Sequence, residues 1–96
     1  MKAYIIVDVT ITDQKRYEDY KKLTPASLVP FGGKFIVRGG TAATLEGNWR
    51  PGRILVLEFP SIEKAQAWWS SEEYAPAKAI RQSASETKMI LVEGFE

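Results

Sequence analysis

Asp8, Arg38 and Glu58 are charged side chains within three different predicted β-strands, where charge is uncommon. Since strand side chains alternate between two faces, the pattern of each segment predicts that all three lie on one face of a sheet. One interpretation is structural, because paired charges can fix how two sheets align. The other is catalytic: Arg38 would hold a substrate carboxylate or stabilise an enolate, and Asp8 or Glu58 would act as acid or base. The sequence leaves both interpretations open.

A second group of candidates combines aromatic residues with one arginine, at positions expected to face inward from helices. We predict substrate-binding roles for Tyr17, Tyr20, Trp69, Tyr74 and Arg81. Aromatic residues at helical spacing usually form core, which is the alternative interpretation. Buried tyrosine hydroxyls nevertheless need hydrogen-bond partners, and Arg81 follows Tyr74 by about two helical turns. A small cleft there would suit an anionic aromatic or keto acid.

The segment that carries Arg38 is bounded by two glycine pairs, at positions 32–33 and 39–40. Glycine adopts positive φ without a steric penalty, so these pairs separate a short strand from its neighbours. The strand is predicted over residues 34–38. Its alternation predicts Lys34, Ile36 and Arg38 on one face, with Phe35 and Val37 on the other.

The remaining pattern predicts four strands and two broken helices. Alternating apolar residues indicate strands at 3–11, 34–38, 53–59 and 88–93, with a short edge ribbon at 43–46. The first helix is capped by Thr12 or Asp13 and restarts at Pro25, and the second is capped by Ser61 and interrupted at 70–71. The order predicts a single α+β, ferredoxin-like βαββαβ domain over residues 1–96. It has a four-stranded antiparallel sheet with both helices on one face.

The sheet face that the helices leave uncovered is predicted to be too apolar for contact with water. Beside the three charged candidates, its expected members are Tyr4, Ile6, Lys34, Ile36, Ile54, Val56, Ile90 and Val92. Apolar patches of this size indicate interfaces on soluble proteins. We therefore predict a homodimer in which two sheets pack face to face across a two-fold axis and close a dimeric α+β barrel.

The composition excludes several classes of function. The 96-residue chain has neither cysteine nor histidine, which removes disulfides, thiolate catalysis and the usual ligands of zinc and haem. We therefore expect no metal and no cofactor. A net charge of +1 does not favour nucleic-acid binding. The apolar N-terminus ends too early, at Asp8, for a signal peptide, and no run could span a membrane, so we expect a cytoplasmic protein without membrane contact.

Several short motifs resemble one protein family. They are Gly32-Gly33-Lys34-Phe35-Ile36-Val37-Arg38-Gly39-Gly40, Leu45-Glu46-Gly47, Trp49, Glu58-Phe59-Pro60-Ser61, Ala67-Trp68-Trp69, Ser71-Glu72-Glu73-Tyr74, Arg81 and Val92-Glu93-Gly94. Over nearly the whole chain, this set resembles the domain-of-unknown-function 1330 family. Members often have Ser-Pro-Glu-Tyr at positions 71–74, where this chain differs.

The resemblance implies a dimeric α+β barrel and no settled reaction. The superfamily includes cofactor-free antibiotic-biosynthesis monooxygenases, muconolactone-isomerase-like enzymes and haem-dependent relatives. Three hypotheses of function remain. The first is a cofactor-independent enzyme, monooxygenase-like or isomerase-like, for a small enolisable or aromatic substrate. The second is a non-catalytic protein that binds such a molecule, and the third is an accessory dimer without a ligand.

Overall fold

The computed structural model describes residues 1–95, in which an antiparallel sheet carries helices on one face. The elements are β1 (Ala3–Ile11), α1 (Gln14–Leu28), a 3₁₀ turn (Val29–Phe31), β2 (Lys34–Arg38), β3 (Arg53–Phe59), α2 (Ile62–Trp69), α3 (Ala75–Ala84) and β4 (Ser85–Glu93). The strands are ordered β2-β3-β1-β4, and neighbours are antiparallel. This order confirms the predicted α+β, ferredoxin-like fold class. Within residues 1–95, no helix has the length and hydrophobicity of a membrane-spanning segment.

Short polar side chains begin two of the helices. The Asp13 carboxylate accepts a hydrogen bond from the Arg16 backbone N–H at 3.1 Å, and the Ser61 hydroxyl accepts one from the Lys64 N–H at 3.2 Å. Each satisfies a backbone donor that the first helical turn leaves without a partner. The second predicted helix is indeed broken, because α2 ends at Trp69 and α3 begins at Ala75.

Three predicted boundaries are wrong. Helix α1 continues through Pro25 as far as Leu28. The helix tolerates the loss of the one backbone hydrogen bond that proline cannot donate. Residues 43–46 form no strand in the described chain. Strand β4 begins at Ser85 rather than at Lys88, since its first residues pair with the end of β1, where Ser85 lies opposite Ile11.

The core lies between the sheet and the helices. Alternate residues of β1 and β3 are buried there: Ala3, Ile5, Val7, Val9, Leu55, Leu57 and Phe59. The largest fully buried side chain is Trp68, whose ring stacks on Tyr74 at 3.9 Å between centroids and lies 5.5 Å from Phe59. Its indole N–H donates to the Ser27 hydroxyl at 3.0 Å. This packing holds the helices together and fixes them on the sheet.

Strand β2 contains a β-bulge. Phe35 lies opposite Leu57 and Val37 lies opposite Val56, so Ile36 is an extra residue without its own partner on β3. An extra residue shifts the alternation of the strand by one position. Side chains after the bulge therefore point to the opposite face from the one predicted.

The bulge moves Arg38 away from the other two charged candidates. Arg38 lies opposite Leu55, a core residue on the helix-covered face. The prediction that Arg38 shares a face with Asp8 and Glu58 is therefore wrong. Val37, not Arg38, lies on the uncovered face. The simple alternation of β2 stops at Phe35, because the bulge follows at Ile36.

We call the uncovered side of the sheet the open face. Cross-strand pairing assigns to it Tyr4, Ile6, Asp8, Lys34, Val37, Ile54, Val56, Glu58, Lys88, Ile90 and Val92. It includes several large apolar side chains with substantial exposure, and Ile90 is the most exposed of these at 61%. The predicted apolar character of this face is therefore confirmed.

Candidate functional site

Arg38 projects from the end of β2 against helix α1. Its Nη2 donates to the backbone carbonyl of Lys21 at 3.2 Å, and its guanidinium lies 4.5 Å from the centroid of the Phe35 ring. In a regular helix the Lys21 carbonyl would accept from residue 25, which is proline and has no N–H. Arg38 thus supplies the donor that Pro25 lacks, and this contact fixes the orientation of an otherwise exposed guanidinium.

Asp8 is occupied with the loop that joins β2 to β3, residues 39–52. Its Oδ2 accepts from the Trp49 indole N–H and its Oδ1 from the Gly52 backbone N–H, each at 2.8 Å. Both carboxylate oxygens therefore have a donor. The same loop leans over a groove of about 440 Å³ on the open face, which Ile6, Trp49 and Lys88 help to line.

Glu58 lies at the far end of the open face from Asp8. Its carboxylate is 3.4 Å from Lys2 Nζ and 3.5 Å from Lys34 Nζ, with only 14% of its side chain exposed. Ile54 is the residue of β3 opposite Asp8, and Glu58 lies four positions further along, which is about 13 Å along a strand. The structure brings neither carboxylate to Arg38, so one combined acid–base site of these three residues does not exist.

Three of the predicted binding residues do meet, between helices α1 and α3. The Tyr20 and Tyr74 hydroxyls are 3.1 Å apart, and Arg81 Nε donates to the Tyr74 hydroxyl at 3.2 Å. Tyr20, Tyr74 and Arg81 are all buried, and Arg81 is only 5% exposed. The side chains form a connected polar network inside an otherwise apolar layer.

Tyr17 and Arg53 extend this network toward β3. Tyr17 is fully buried, and its ring lies 5.2 Å from that of Tyr20. The Tyr17 hydroxyl lies within electrostatic reach of both Arg53 and Arg81. Within residues 1–95, neither the Tyr17 hydroxyl nor Arg53 Nε makes a hydrogen bond of standard geometry, although both atoms are buried. Such groups are uncommon in folded proteins, where buried donors and acceptors are usually satisfied.

We call this set the tyrosine–arginine cluster. Its members are Tyr17, Tyr20, Tyr74, Arg53 and Arg81, and Arg38 lies on the same sheet face, against α1. In the described chain, none of the three arginines forms an ion pair with a carboxylate. Buried charges are ordinarily paired, because transfer from water to the interior is costly. The cluster therefore carries positive charge that no carboxylate of residues 1–95 pairs with.

Two tyrosines of the cluster, Tyr17 and Tyr20, have a raised pKa and therefore stay protonated at neutral pH. Burial raises the pKa of Tyr17 above the ordinary value, and the neighbouring Tyr20 adds to the effect. Burial also raises the pKa of Tyr20, as do the charge and the hydrogen bond of Tyr74. At neutral pH these hydroxyls can donate hydrogen bonds, but they are poor proton acceptors for catalysis.

Trp69 lies outside the cluster, on the other side of α2. It is 43% exposed, and Lys78 Nζ lies 3.9 Å from the centroid of its ring. Trp69 borders a groove of about 430 Å³ between α2 and β4, together with Gln66, Met89 and Leu91. Of the five predicted binding residues, the structure gathers the three tyrosines and Arg81, but not Trp69.

Arg53 is a member of the cluster that the sequence analysis missed. Its signal was present, because Arg53 alternates with the apolar residues Leu55 and Leu57 and so belongs to the helix-covered face. The contact between Trp49 and Asp8 had no comparable signal, since it joins a loop to a strand 41 positions away.

Solved structures with the same architecture come from several bacteria. A protein of unknown function from Rhodopseudomonas palustris superposes with a TM-score of 0.80 at 17% identity, covering 99% of this chain and 83% of the other. A dimeric ferredoxin-like protein of unknown function from Jannaschia sp. CCS1 has a TM-score of 0.75 at 11% identity, covering 98% and 100%. SnoaB, a cofactor-independent oxygenase from Streptomyces nogalater, has a TM-score of 0.67 at 10% identity, covering 99% and 94%. At these identities the likeness establishes the fold alone.

The amino-acid sequence gives a narrower relationship. No curated protein matches the chain. The model of one family, described as Domain of unknown function (DUF1330), matches residues 2–95. The chain belongs to this family.

Proposed function

We propose that the protein is a small cytoplasmic homodimer in which each subunit binds a small organic anion at the tyrosine–arginine cluster. The ligand is an aromatic or enolisable acid, and the cluster stabilises its negative charge. One observation carries the proposal: Arg53 and Arg81 lie beside buried tyrosine hydroxyls and Arg38 lies on the same sheet face, yet no carboxylate of residues 1–95 pairs with these arginines.

The chemistry of the cluster favours an anion over a neutral ligand. Guanidinium groups stay charged at any physiological pH and bind carboxylates through paired N–H donors. The Tyr17 hydroxyl and Arg53 Nε, which make no hydrogen bond of standard geometry, offer two further contacts at the same place. Aromatic rings of Tyr17 and Tyr20 supply apolar area beside the charges, which suits a ligand with an aromatic body.

The same geometry supports a cofactor-independent reaction of the monooxygenase or isomerase type. Such a reaction needs an enolate or phenolate whose charge the protein stabilises. Asp8 and Glu58 are engaged on the open face, so the cluster works with a substrate acidic enough to lose its proton to solvent. The fold shared with SnoaB, a cofactor-independent oxygenase, is consistent with this chemistry. A non-catalytic binding protein would use the same contacts without turnover.

The homodimer is supported by the open face. Val37, Ile90 and Val92 are exposed there beside half-buried Ile6 and Val56, a continuous apolar strip across the sheet. Two solved structures with this fold, from Jannaschia sp. CCS1 and Bacteroides fragilis, are of proteins named as dimeric. A second copy on the open face would remove the strip from water and leave the tyrosine–arginine cluster outside the interface.

Calorimetry with salicylate and phenylpyruvate tests the binding site, with benzyl alcohol as a neutral control. We expect both acids to bind and the alcohol not to bind. Arg38→Ala should weaken acid binding by about 10-fold or more, since a hydrogen bond to a charged group contributes about 1.5–3 kcal/mol. Arg50→Ala, which removes an exposed loop arginine, should bind as the wild type does. The proposal fails if neither acid binds, or if the two variants behave alike.

Exchange of the methylene protons of phenylpyruvate, which lie next to its keto group, then distinguishes an enzyme from a binding protein when it is measured in deuterated water. If the cluster stabilises the enolate, added protein will accelerate the exchange measured by NMR, and Arg38→Ala will reduce the acceleration. Binding without faster exchange would assign the protein to the non-catalytic class.

A further inference from the structure

We propose that Asp8 is a positioning residue: it anchors the end of the 39–52 loop and thereby holds Arg53 in the tyrosine–arginine cluster. Asp8 itself lies on the opposite face of the sheet from that cluster, so it does not touch a ligand there. Its effect on Arg53 is a property of the fold, and only its consequence for ligand affinity rests on the proposed function.

The anchor is immediately next to Arg53 in the chain. Asp8 Oδ1 accepts from the backbone N–H of Gly52 at 2.8 Å, and the following residue is Arg53. Gly52 also lies so close to the Val9 carbonyl that a Cβ would clash with this backbone oxygen. The backbone that leads into Arg53 is therefore held from two sides by β1.

The start of the loop converges on the same arginine. The Gly39 N–H donates to the Ile54 carbonyl at 2.8 Å. Gly39 has a φ of +74°, and a Cβ built there would lie 2.5 Å from Arg53 Nη1. The Arg53 guanidinium thus packs directly on the backbone of the first loop residue, while Asp8 holds the last one.

Few other contacts hold the loop to the rest of the protein. Residues 39–50 are all exposed, so the loop gains little from apolar burial. Trp49 gives it internal order, because its carbonyl accepts from the Thr44 hydroxyl while its indole N–H donates to Asp8 Oδ2. Segments with few buried contacts open readily unless polar anchors hold them. Loss of Asp8 would free both the loop and the guanidinium that packs on it.

The direct test measures hydrogen exchange at the Arg53 Nε–H by NMR. Its signal is assigned as the one that disappears in Arg53→Lys. In the wild type this buried group should exchange slowly with solvent, like Arg81 Nε–H, which serves as internal reference. Asp8→Ala should accelerate exchange at Arg53 Nε and at the Gly52 amide by about 10-fold or more, because two charge-assisted hydrogen bonds are lost. Exchange at Arg81 Nε should change much less.

Two further variants sharpen the test and replace Asp8→Ala if it folds poorly. Trp49→Phe removes one of the two bonds and keeps the ring, so it should accelerate exchange by a smaller factor. Glu86→Gln is the matched control, because Glu86 is an exposed carboxylate on the same sheet face, opposite Thr10. It should leave exchange at Arg53 unchanged.

The outcomes separate this inference from the proposed function. Faster Arg53 exchange in Asp8→Ala supports the inference even if no acid binds the wild type, a result that would overturn the proposed function alone. If salicylate does bind the wild type, Asp8→Ala should weaken it several-fold while Glu86→Gln does not. Unchanged exchange at Arg53 in both Asp8→Ala and Trp49→Phe would overturn the inference.

Discussion

The two faces of the sheet treat charge in opposite ways. On the open face two carboxylates are occupied: Glu58 lies between Lys2 and Lys34, and Asp8 holds Trp49 and Gly52. On the helix-covered face, the arginines of the tyrosine–arginine cluster have no carboxylate partners among residues 1–95. The apolar residues differ in the opposite sense, since they are buried beneath the helices and several are exposed on the open face.

This difference indicates what each face still needs. The helix-covered face buries its apolar surface but leaves its arginines without carboxylate partners among residues 1–95, and the proposed ligand would supply the missing negative charge. On the open face Asp8 and Glu58 have partners but several apolar side chains stay exposed, and the proposed dimer would cover them with a second protein surface. Ligand binding and dimerisation are therefore expected on opposite sides of one sheet, and each can be disrupted without the other.

The largest expected effect is on the helix-covered face. Trp68→Ala should lower the free energy of unfolding by about 3–5 kcal/mol, because it leaves a cavity beside Phe59 and Tyr74. Trp69→Ala is the matched control, since its ring is exposed and contacts Lys78, and it should cost about 1 kcal/mol or less. Urea denaturation of both variants measures the contrast. Equal losses would contradict the assignment of Trp68 to the core and Trp69 to the surface.

The next effect should be confined to the open face. Ile90→Asp introduces a charge into the proposed interface once per subunit, and burial of an unpaired charge is costly. We expect the dissociation constant of the dimer to increase by at least about 100-fold, which corresponds to a loss of about 3 kcal/mol in the free energy of association. Sedimentation velocity measures it. Val29→Asp, at an exposed apolar residue outside the sheet, should leave the dimer intact, and equal dissociation in both would argue against an interface on the open face.

A smaller effect tests the contact between the loop and Arg53. Gly39 has a positive φ and packs on the Arg53 guanidinium, whereas a Cβ at Gly40 would meet nothing within 4 Å. Gly39→Ala should therefore lower stability by about 1–2 kcal/mol and weaken acid binding, because Arg53 must move. Gly40→Ala should change neither by much. Thermal denaturation measures the stability of both variants, and calorimetry measures their acid binding. Equal effects of Gly39→Ala and Gly40→Ala would contradict the contact between Gly39 and Arg53.

The smallest effect depends on pH. Since burial raises the pKa of Tyr20 in the folded state, the folded protein keeps a proton that the unfolded chain loses above about pH 10. The resulting stability is present below pH 10 and is lost as pH rises further. Tyr20→Phe should cost about 1 kcal/mol at pH 8 but flatten the decline between pH 9 and 11. Tyr4→Phe, on the open face, should leave the decline as steep as in the wild type.

Most of the fold could be predicted from the sequence because local chemistry specifies it. Alternation in β1 and β3 identified both strands and their buried faces, and Asp13 and Ser61 marked helix starts that the structure retains. Helix continuity through Pro25 could not be predicted in this way. It depends on Arg38, 17 residues from Lys21, whose carbonyl receives the hydrogen bond that proline cannot supply.

For the candidate site, too, some features follow from the sequence and others only from the tertiary structure. By itself, the sequence determined which residue types are available: several tyrosines and arginines, and no histidine or cysteine. Only the tertiary structure decided which of them meet. One bulge residue, Ile36, places Arg38 on the helix-covered face instead of the face that holds the carboxylates, because an insertion of one residue reverses a strand's two faces. Whether a strand bulges is decided by its pairing with the neighbouring strand, and no local pattern in residues 34–38 records that pairing.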